Sequence, residues 1–162
     1  QYLIDKLSDM EFLTPPFFAK DVEPVFHILN FKYKESIIGI PRDAFVACLR
    51  AEGIPVGTGY VRGMYANPLF QKKIAYGLNK FPWNTSTLEN DVCYDSKQFK
   101  NIEKLINKEF LWFYHIAYSS TLQDMDDIVS AINKIWDLRN DIKLNLDFII
   151  NKGDISKKQG RL

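Results

Sequence analysis

The stretch Phe110–Tyr118, FLWFYHIAY, decides the fold because it is an almost continuous apolar run. Such a run predicts a strand that is central in its sheet or buried on both faces. The residues that follow it, Ser119-Ser120-Thr121, offer helix N-caps, and Asp124 is suitably spaced to complete a capping box. We therefore predict that this strand is followed closely by a helix.

That last helix is the clearest element of the sequence. Asp124, Asp126 and Asp127 fall in its first turn and Arg139 is assigned to its last turn, as the helix dipole favours. Helix-start electrostatics account for the acidic cluster without a metal site. An apolar stripe at helical spacing marks the buried face of the helix: Met125, Ile128, Val129, Ile132, Ile135 and Trp136.

The regions upstream alternate between strand and helix patterns. Residues 25–34 are typical of a half-buried strand, and Pro41 opens a helix that runs to about Glu52 and ends at a left-handed Gly53. Residues 54–70 begin as a short strand and become a Gly-rich loop, and residues 95–107 have apolar residues at helical spacing. This order predicts an α+β fold, a small and mainly antiparallel sheet with helices packed on one face.

Three regions are predicted along the chain. Residues 1–24 contain the end of a helix and a proline-rich crossing segment, residues 25–142 form a small domain, and residues 143–162 form a polar tail. The helix at residues 1–7 has no capping residue before it, so we expect it to continue from a larger protein.

The composition excludes several classes of function. The 162 residues suit one domain, and a formal net charge of +1 argues against nucleic-acid binding. No signal peptide is visible in the sequence, and no apolar run approaches the ~20 residues that span a bilayer. Two distant cysteines without a CxxC motif favour reduced thiols, so we expect a cytoplasmic protein.

Most candidate chemical sites have a simple structural alternative. The two histidines and two cysteines are not at metal-site spacings, and Cys48 is predicted to be an inert thiol on the apolar face of a helix. Gly57-Thr58-Gly59-Tyr60-Val61-Arg62-Gly63 is one residue longer than a dinucleotide fingerprint and lacks its parallel β-α-β context, so it is a weak nucleotide site.

The same Gly-rich loop holds the best candidate for a binding site. Arg62 lies between Tyr60 and Tyr65, and a guanidinium suits a carboxylate or phosphate while phenols can hydrogen-bond a polyol. The alternative is an exposed arginine near tyrosines that only pack. His115, within the apolar strand, is by default a core histidine with a backbone partner. The residues alone predict a ligand loop but no reaction.

Several stretches, in this order, resemble the C-terminal region of the DegT/DnrJ sugar aminotransferases, which are fold type I pyridoxal-phosphate enzymes. The resemblance covers about residues 25–140, and Tyr94 departs from the proline that many members have after the cysteine. The stretches that carry it are Arg42-Asp43 with Phe45, Leu49, Arg50 and Gly53-Ile54; Thr58-Gly59-Tyr60; Tyr65-x-Asn67-Pro68-x-Phe70; Cys93-Tyr94-Asp95-Ser96; Phe110–His115; and Asp124–Val129.

The resemblance implies a parent enzyme of sugar biosynthesis that moves an amino group from glutamate or glutamine to a keto sugar or keto-cyclitol. Pyridoxal phosphate and its lysine would lie in a large N-terminal domain, so this chain would bind no cofactor and be inactive alone, and the parent would be a homodimer. Tyr60, Arg62 and Tyr65, and more weakly His115, would recognise the substrate. The alternative is a stand-alone, non-catalytic module that binds a sugar or a protein.

Overall fold

The computed structural model describes residues 1–59, 62–77, 79–85, 92–113 and 119–151. The chain divides into two compact units, of which the first comprises Gln1–Gly59 with the chain from Lys108 onward and the second comprises Tyr60–Asn107. The predicted boundaries at residues 24 and 142 stay predictions.

The first unit is an α+β fold, as predicted, built on an antiparallel sheet. Its strands are β1 (Leu13–Thr14), β2 (Leu29–Tyr33), β3 (Val56–Thr58) and β4 (Phe110–Phe113), in the order β1-β2-β4-β3. The apolar run at 110–113 therefore pairs on both sides, with Leu29 opposite Phe113 in β2 and Val56 opposite Phe113 in β3. Its predicted central position is confirmed, and residues 114–118 of the run lie outside the described residues.

The helices of the first unit cover one face of the sheet. They are α1 (Tyr2–Lys6), α2 (Glu35–Ile38), α3 (Arg42–Ala51), α6 (Leu122–Asp137) and α7 (Arg139–Leu144). Alternate strand residues face them and are buried, whereas Lys32 on the other face is exposed. The core that results joins strand and helix residues, among them Phe31, Tyr33, Leu111, Phe113, Phe45, Leu49 and Ile132.

Two predicted helix ends are confirmed in detail. After α3, Gly53 has a φ of 84°, its N–H donates to the Arg50 carbonyl, and the Ile54 N–H donates to the Leu49 carbonyl. This is a Schellman motif, which a glycine permits at low cost. At the start of α6, Thr121 and Asp124 form the predicted capping box.

Two details of the prediction were wrong. Arg139 does not lie in the last turn of the long helix, because α6 ends at Asp137 and Arg139 begins α7. Its guanidinium stacks 4.3 Å from the Trp136 ring and donates to the Trp136 carbonyl. The proline-rich crossing segment, residues 10–24, is predicted to be irregular, but Leu13–Thr14 within it pairs with β2 before Pro15 and Pro16.

The second unit consists of short helical turns. They are a 3₁₀ turn (Met64–Ala66), α4 (Pro68–Gln71), a 3₁₀ turn (Ser96–Phe99) and α5 (Lys100–Lys104), and the π-helical turn Leu105–Glu109 follows. The helical pattern predicted for residues 95–107 is thus confirmed from Ser96 onward. No helix within the described ranges is both long enough and apolar enough to cross a bilayer.

Candidate functional site

The Gly-rich loop begins in a well-defined conformation at the end of β3. Gly59 has a φ of 51°, its N–H donates to the Phe110 carbonyl, and its own carbonyl accepts from the Trp112 indole at 3.2 Å. Tyr60 and His115 lie outside the described residues. Their predicted contacts with substrate stay predictions.

The other two predicted substrate residues, Arg62 and Tyr65, lie in the second unit and have very different surroundings. Arg62 is exposed, whereas Tyr65 is 7% exposed. The Tyr65 ring stacks on Phe99 at 4.5 Å, and its hydroxyl donates to Glu103. Since the phenol proton is already used, Tyr65 can only accept a hydrogen bond from a ligand.

Gly63, next to Arg62, has to be a glycine because of its close neighbours. Its φ of −64° is open to any residue, so the requirement is steric. A Cβ at this position would lie 2.5 Å from Cε1 of Tyr65 and 3.3 Å from Ile102. The missing side chain therefore lets the loop approach the tyrosine ring closely.

Downstream of the loop, Asn67 and Gln71 organise the backbone. The Asn67 side chain accepts from the Leu69 N–H and caps α4, with Pro68 at its first position. The Gln71 amide donates one hydrogen bond to the Tyr65 carbonyl and one to the Tyr94 carbonyl, both at 2.8 Å. Gln71 therefore ties the segment around Tyr65 to the segment around Tyr94.

These two segments line an open groove of about 610 Å³, here named the Gln71 groove. Its volume lies within the range of small-molecule sites, roughly 300–1,000 Å³. Sequence reasoning found only Tyr65 among its lining residues, because the others come from separate segments with no motif that joins them. The groove is lined by Tyr65, Ala66, Gln71, Lys73, Cys93, Tyr94, Asp95 and Ser96.

An aromatic cluster supports the wall that carries Tyr94. The Tyr94 ring packs against Phe70 at 5.4 Å, and its hydroxyl accepts a hydrogen bond from the Trp83 indole at 2.8 Å. Phe70 also meets Trp83 edge to face at 6.2 Å. These contacts hold the Tyr94 ring in one orientation.

The first unit has a comparable cavity of about 620 Å³ beside the start of α6, and its charged groups are engaged in structural contacts. Lys134 pairs with Glu52 at 2.8 Å. Hydrogen bonds from the backbone and side chain of Thr121 lower the pKa of Asp124. Within the described part of the chain, no group of three or more His, Cys, Asp and Glu residues is arranged to hold a metal ion.

Both thiols are free, and they differ in environment. Cys48 is half-buried on α3, and burial, with a smaller contribution from Glu52, raises its pKa. It therefore has little thiolate character at neutral pH, as expected for an inert thiol. Cys93 is exposed on the rim of the Gln71 groove.

The lysines test whether pyridoxal phosphate fits this chain. A Schiff-base lysine must be held against the cofactor in a desolvated pocket. Among the lysines that the structure describes, Lys73 is half-buried and the others are exposed. No lysine among the described residues is buried in such a pocket, so we derive no chemical step through the cofactor.

No family model matches the chain. No curated protein matches it either.

Proposed function

We propose that the chain is the C-terminal small domain of a pyridoxal-phosphate-dependent aminotransferase acting on a keto sugar or keto-cyclitol, with glutamate or glutamine as the amino donor. In this proposal the domain contributes substrate contacts, and a large N-terminal domain contributes the cofactor and its lysine. The parent is a cytoplasmic homodimer, and the two free thiols are compatible with a reducing compartment.

The observation that carries the proposal is the agreement between the stretches of the resemblance and the ends of the helices. Gly53-Ile54 forms the Schellman turn after α3, and Asn67-Pro68 caps α4. Asp95 caps the turn Ser96–Phe99 by accepting from the Lys97 N–H at 2.9 Å, although Tyr94 replaces the usual proline. The resemblance implies a helix that ends at Gly53-Ile54 and a helix that opens after Cys93, and the agreement of these two features supports the proposal; the cap at Asn67 falls in a stretch that the resemblance treats as a loop.

The roles of the chain's own residues in this reaction are binding and orientation. Arg62 is exposed beside a rigid anchor, because Tyr65 is held by Phe99 and Glu103. An exposed guanidinium on an anchored loop suits the carboxylate of the amino donor. Tyr65 positions this loop, and its hydroxyl oxygen remains an acceptor.

One observation bears on the alternative, a stand-alone sugar- or protein-binding module. If residues 1–24 belong to this domain, their apolar side chains should be buried in it. Leu3, Leu7 and Phe12 are 1–3% exposed in the core, which supports independence, whereas Phe17 is 93% and Val25 97% exposed in the segment that follows. The buried residues Leu3, Leu7 and Phe12 thus favour the stand-alone module, and the exposed residues Phe17 and Val25 favour a partner domain.

The deciding experiment is to sequence the coding DNA immediately upstream of the Gln1 codon and to assay the protein that it encodes. An open frame leading into a domain with a Schiff-base lysine, together with glutamate- or glutamine-dependent amination of a keto-inositol, is the expected result. In that protein, Arg62→Ala should raise KM for the amino donor, while Arg139→Ala, on the other unit, should leave it unchanged. A start codon directly upstream, with no such domain, would overturn the proposal and leave the binding module.

A further inference from the structure

We propose that the Gln71 groove binds a neutral polyhydroxylated ring, such as a cyclitol or an uncharged sugar, through residues that lie outside the Gly-rich loop. The choice of ring class rests on the proposed function, and the existence of the site rests on the geometry of the groove. Its lining combines a fixed amide, one positive and one negative side chain, and a fixed aromatic ring.

The amide of Gln71 is preorganised for binding. Both of its N–H groups are used by the carbonyls of Tyr65 and Tyr94, so its orientation is fixed and the side chain offers a carbonyl oxygen as an acceptor. A group fixed in the free protein loses little side-chain entropy when the ligand binds. A ring hydroxyl, which can donate as well as accept, satisfies such an acceptor.

The charges of the groove distinguish a neutral ligand from an anion. Lys73 and Asp95 both line it and contribute charges of opposite sign. One carboxylate oxygen of Asp95 accepts from the Lys97 N–H, and Ser96 adds a hydroxyl to the same wall. An anion attracted by Lys73 would also be repelled by Asp95, whereas a polyol can donate to Asp95 and accept from one of the three N–H groups of Lys73.

Tyr94 supplies the apolar surface that a sugar ring needs. Contacts with Phe70 and Trp83 fix its ring, and its side chain is half-buried at the groove. The C–H faces of a cyclitol can pack on an aromatic face while the hydroxyls reach the polar wall. The groove therefore offers a polar wall for the hydroxyls of a polyhydroxylated ring and an aromatic surface for its C–H faces.

The proposal can be tested through the reactivity of the Cys93 thiol, because this residue is exposed on the groove. In a Cys48→Ala chain it is the sole thiol, and its alkylation by iodoacetamide can be followed by mass spectrometry with and without myo-inositol. If the Kd is ~1 mM, about 10 mM myo-inositol should slow alkylation about ten-fold, in proportion to the free fraction. Sorbitol, the open-chain polyol, should protect much less.

Substitutions in the groove and outside it define the site. Gln71→Ala and Lys73→Met should abolish protection, whereas Lys100→Met, at an exposed lysine outside the groove, should retain it. Circular dichroism identifies any variant that has failed to fold. If Gln71→Ala disturbs the structure of the groove, Lys73→Met tests the site in its place.

Three outcomes would overturn the proposal: no protection of the chain by 100 mM myo-inositol, equal protection by sorbitol, or protection that survives both groove substitutions. Stronger protection by inorganic phosphate than by myo-inositol would overturn the assignment to a neutral ring. None of these results bears on the upstream reading frame, so failure of the groove and failure of the aminotransferase proposal are distinguishable.

Discussion

Replacing Phe12 tests whether the part of residues 1–24 that contains this side chain packs on the core of the domain. Phe12 is 2% exposed, and its ring contacts Tyr33, Phe45 and Trp136 at centroid distances of 6.2, 5.7 and 5.3 Å. Removing a buried phenylalanine to alanine costs about 3–5 kcal/mol, because transfer energy is lost and a cavity remains. With a urea m value of about 2 kcal/mol/M, the midpoint of unfolding should fall by about 1.5–2.5 M.

The assay is urea unfolding followed by tryptophan fluorescence, since Trp136 stacks directly on Phe12 at an interplanar angle of 8°. Phe17→Ala is the matched control in the same segment, because Phe17 is 93% exposed and should change stability by no more than about 0.5 kcal/mol. If Phe12→Ala leaves no folded baseline, Phe12→Leu keeps most of the volume and loses ring contacts worth about 0.5–1.5 kcal/mol each. Equal and small effects of Phe12→Ala and Phe17→Ala would refute the packing of this segment on the core.

Three further predictions concern the α6 start and the Gly-rich loop. Thr121→Ala removes one half of the capping box and should destabilise the chain by about 1 kcal/mol in urea unfolding. Because the pKa of Asp124 is lowered in the fold, its carboxylate stabilises the chain above the unfolded pKa of about 3.9. The destabilisation caused by Asp124→Asn should therefore be measurable at pH 6 and should disappear as the pH falls through the folded pKa of Asp124. A destabilisation that persists at pH 2 would contradict this. Gly63→Ala should cost about 1–3 kcal/mol through overpacking, and Tyr65→Ala should relieve part of that cost, so additive effects in the double variant would rule out the clash.

The sequence predicted best what local patterns determine. The capping box needs only Thr121 and Asp124, three positions apart, and the Schellman turn needs only Gly53 at the end of an apolar helical pattern. Both were correct because the groups that bond are neighbours along the chain. The central strand was predicted from its apolar run, since burial on both sides leaves few polar positions.

Most of the features that the sequence did not predict depend on contacts between residues that are far apart along the chain. Strand β1 has two residues, too few for any periodicity, and forms because β2 presents a partner. Tyr65 meets Glu103 across 38 positions, and Gln71 reaches Tyr94 across 23, so neither bond leaves a local signal. Helix α6 ends at Asp137, and Arg139 stacks on Trp136, a contact that the dipole argument did not include.

The short edge strand β1 also limits how copies of this chain can associate. It pairs through Leu13 and Thr14 only, and the next two residues, Pro15 and Pro16, have no N–H to donate. An incoming strand therefore has almost no ladder to join at this edge, which is how natural sheets avoid runaway polymerisation. Along Leu13–Pro16, a contact between subunits would therefore be made by side chains rather than by continuing the sheet from one molecule into the next.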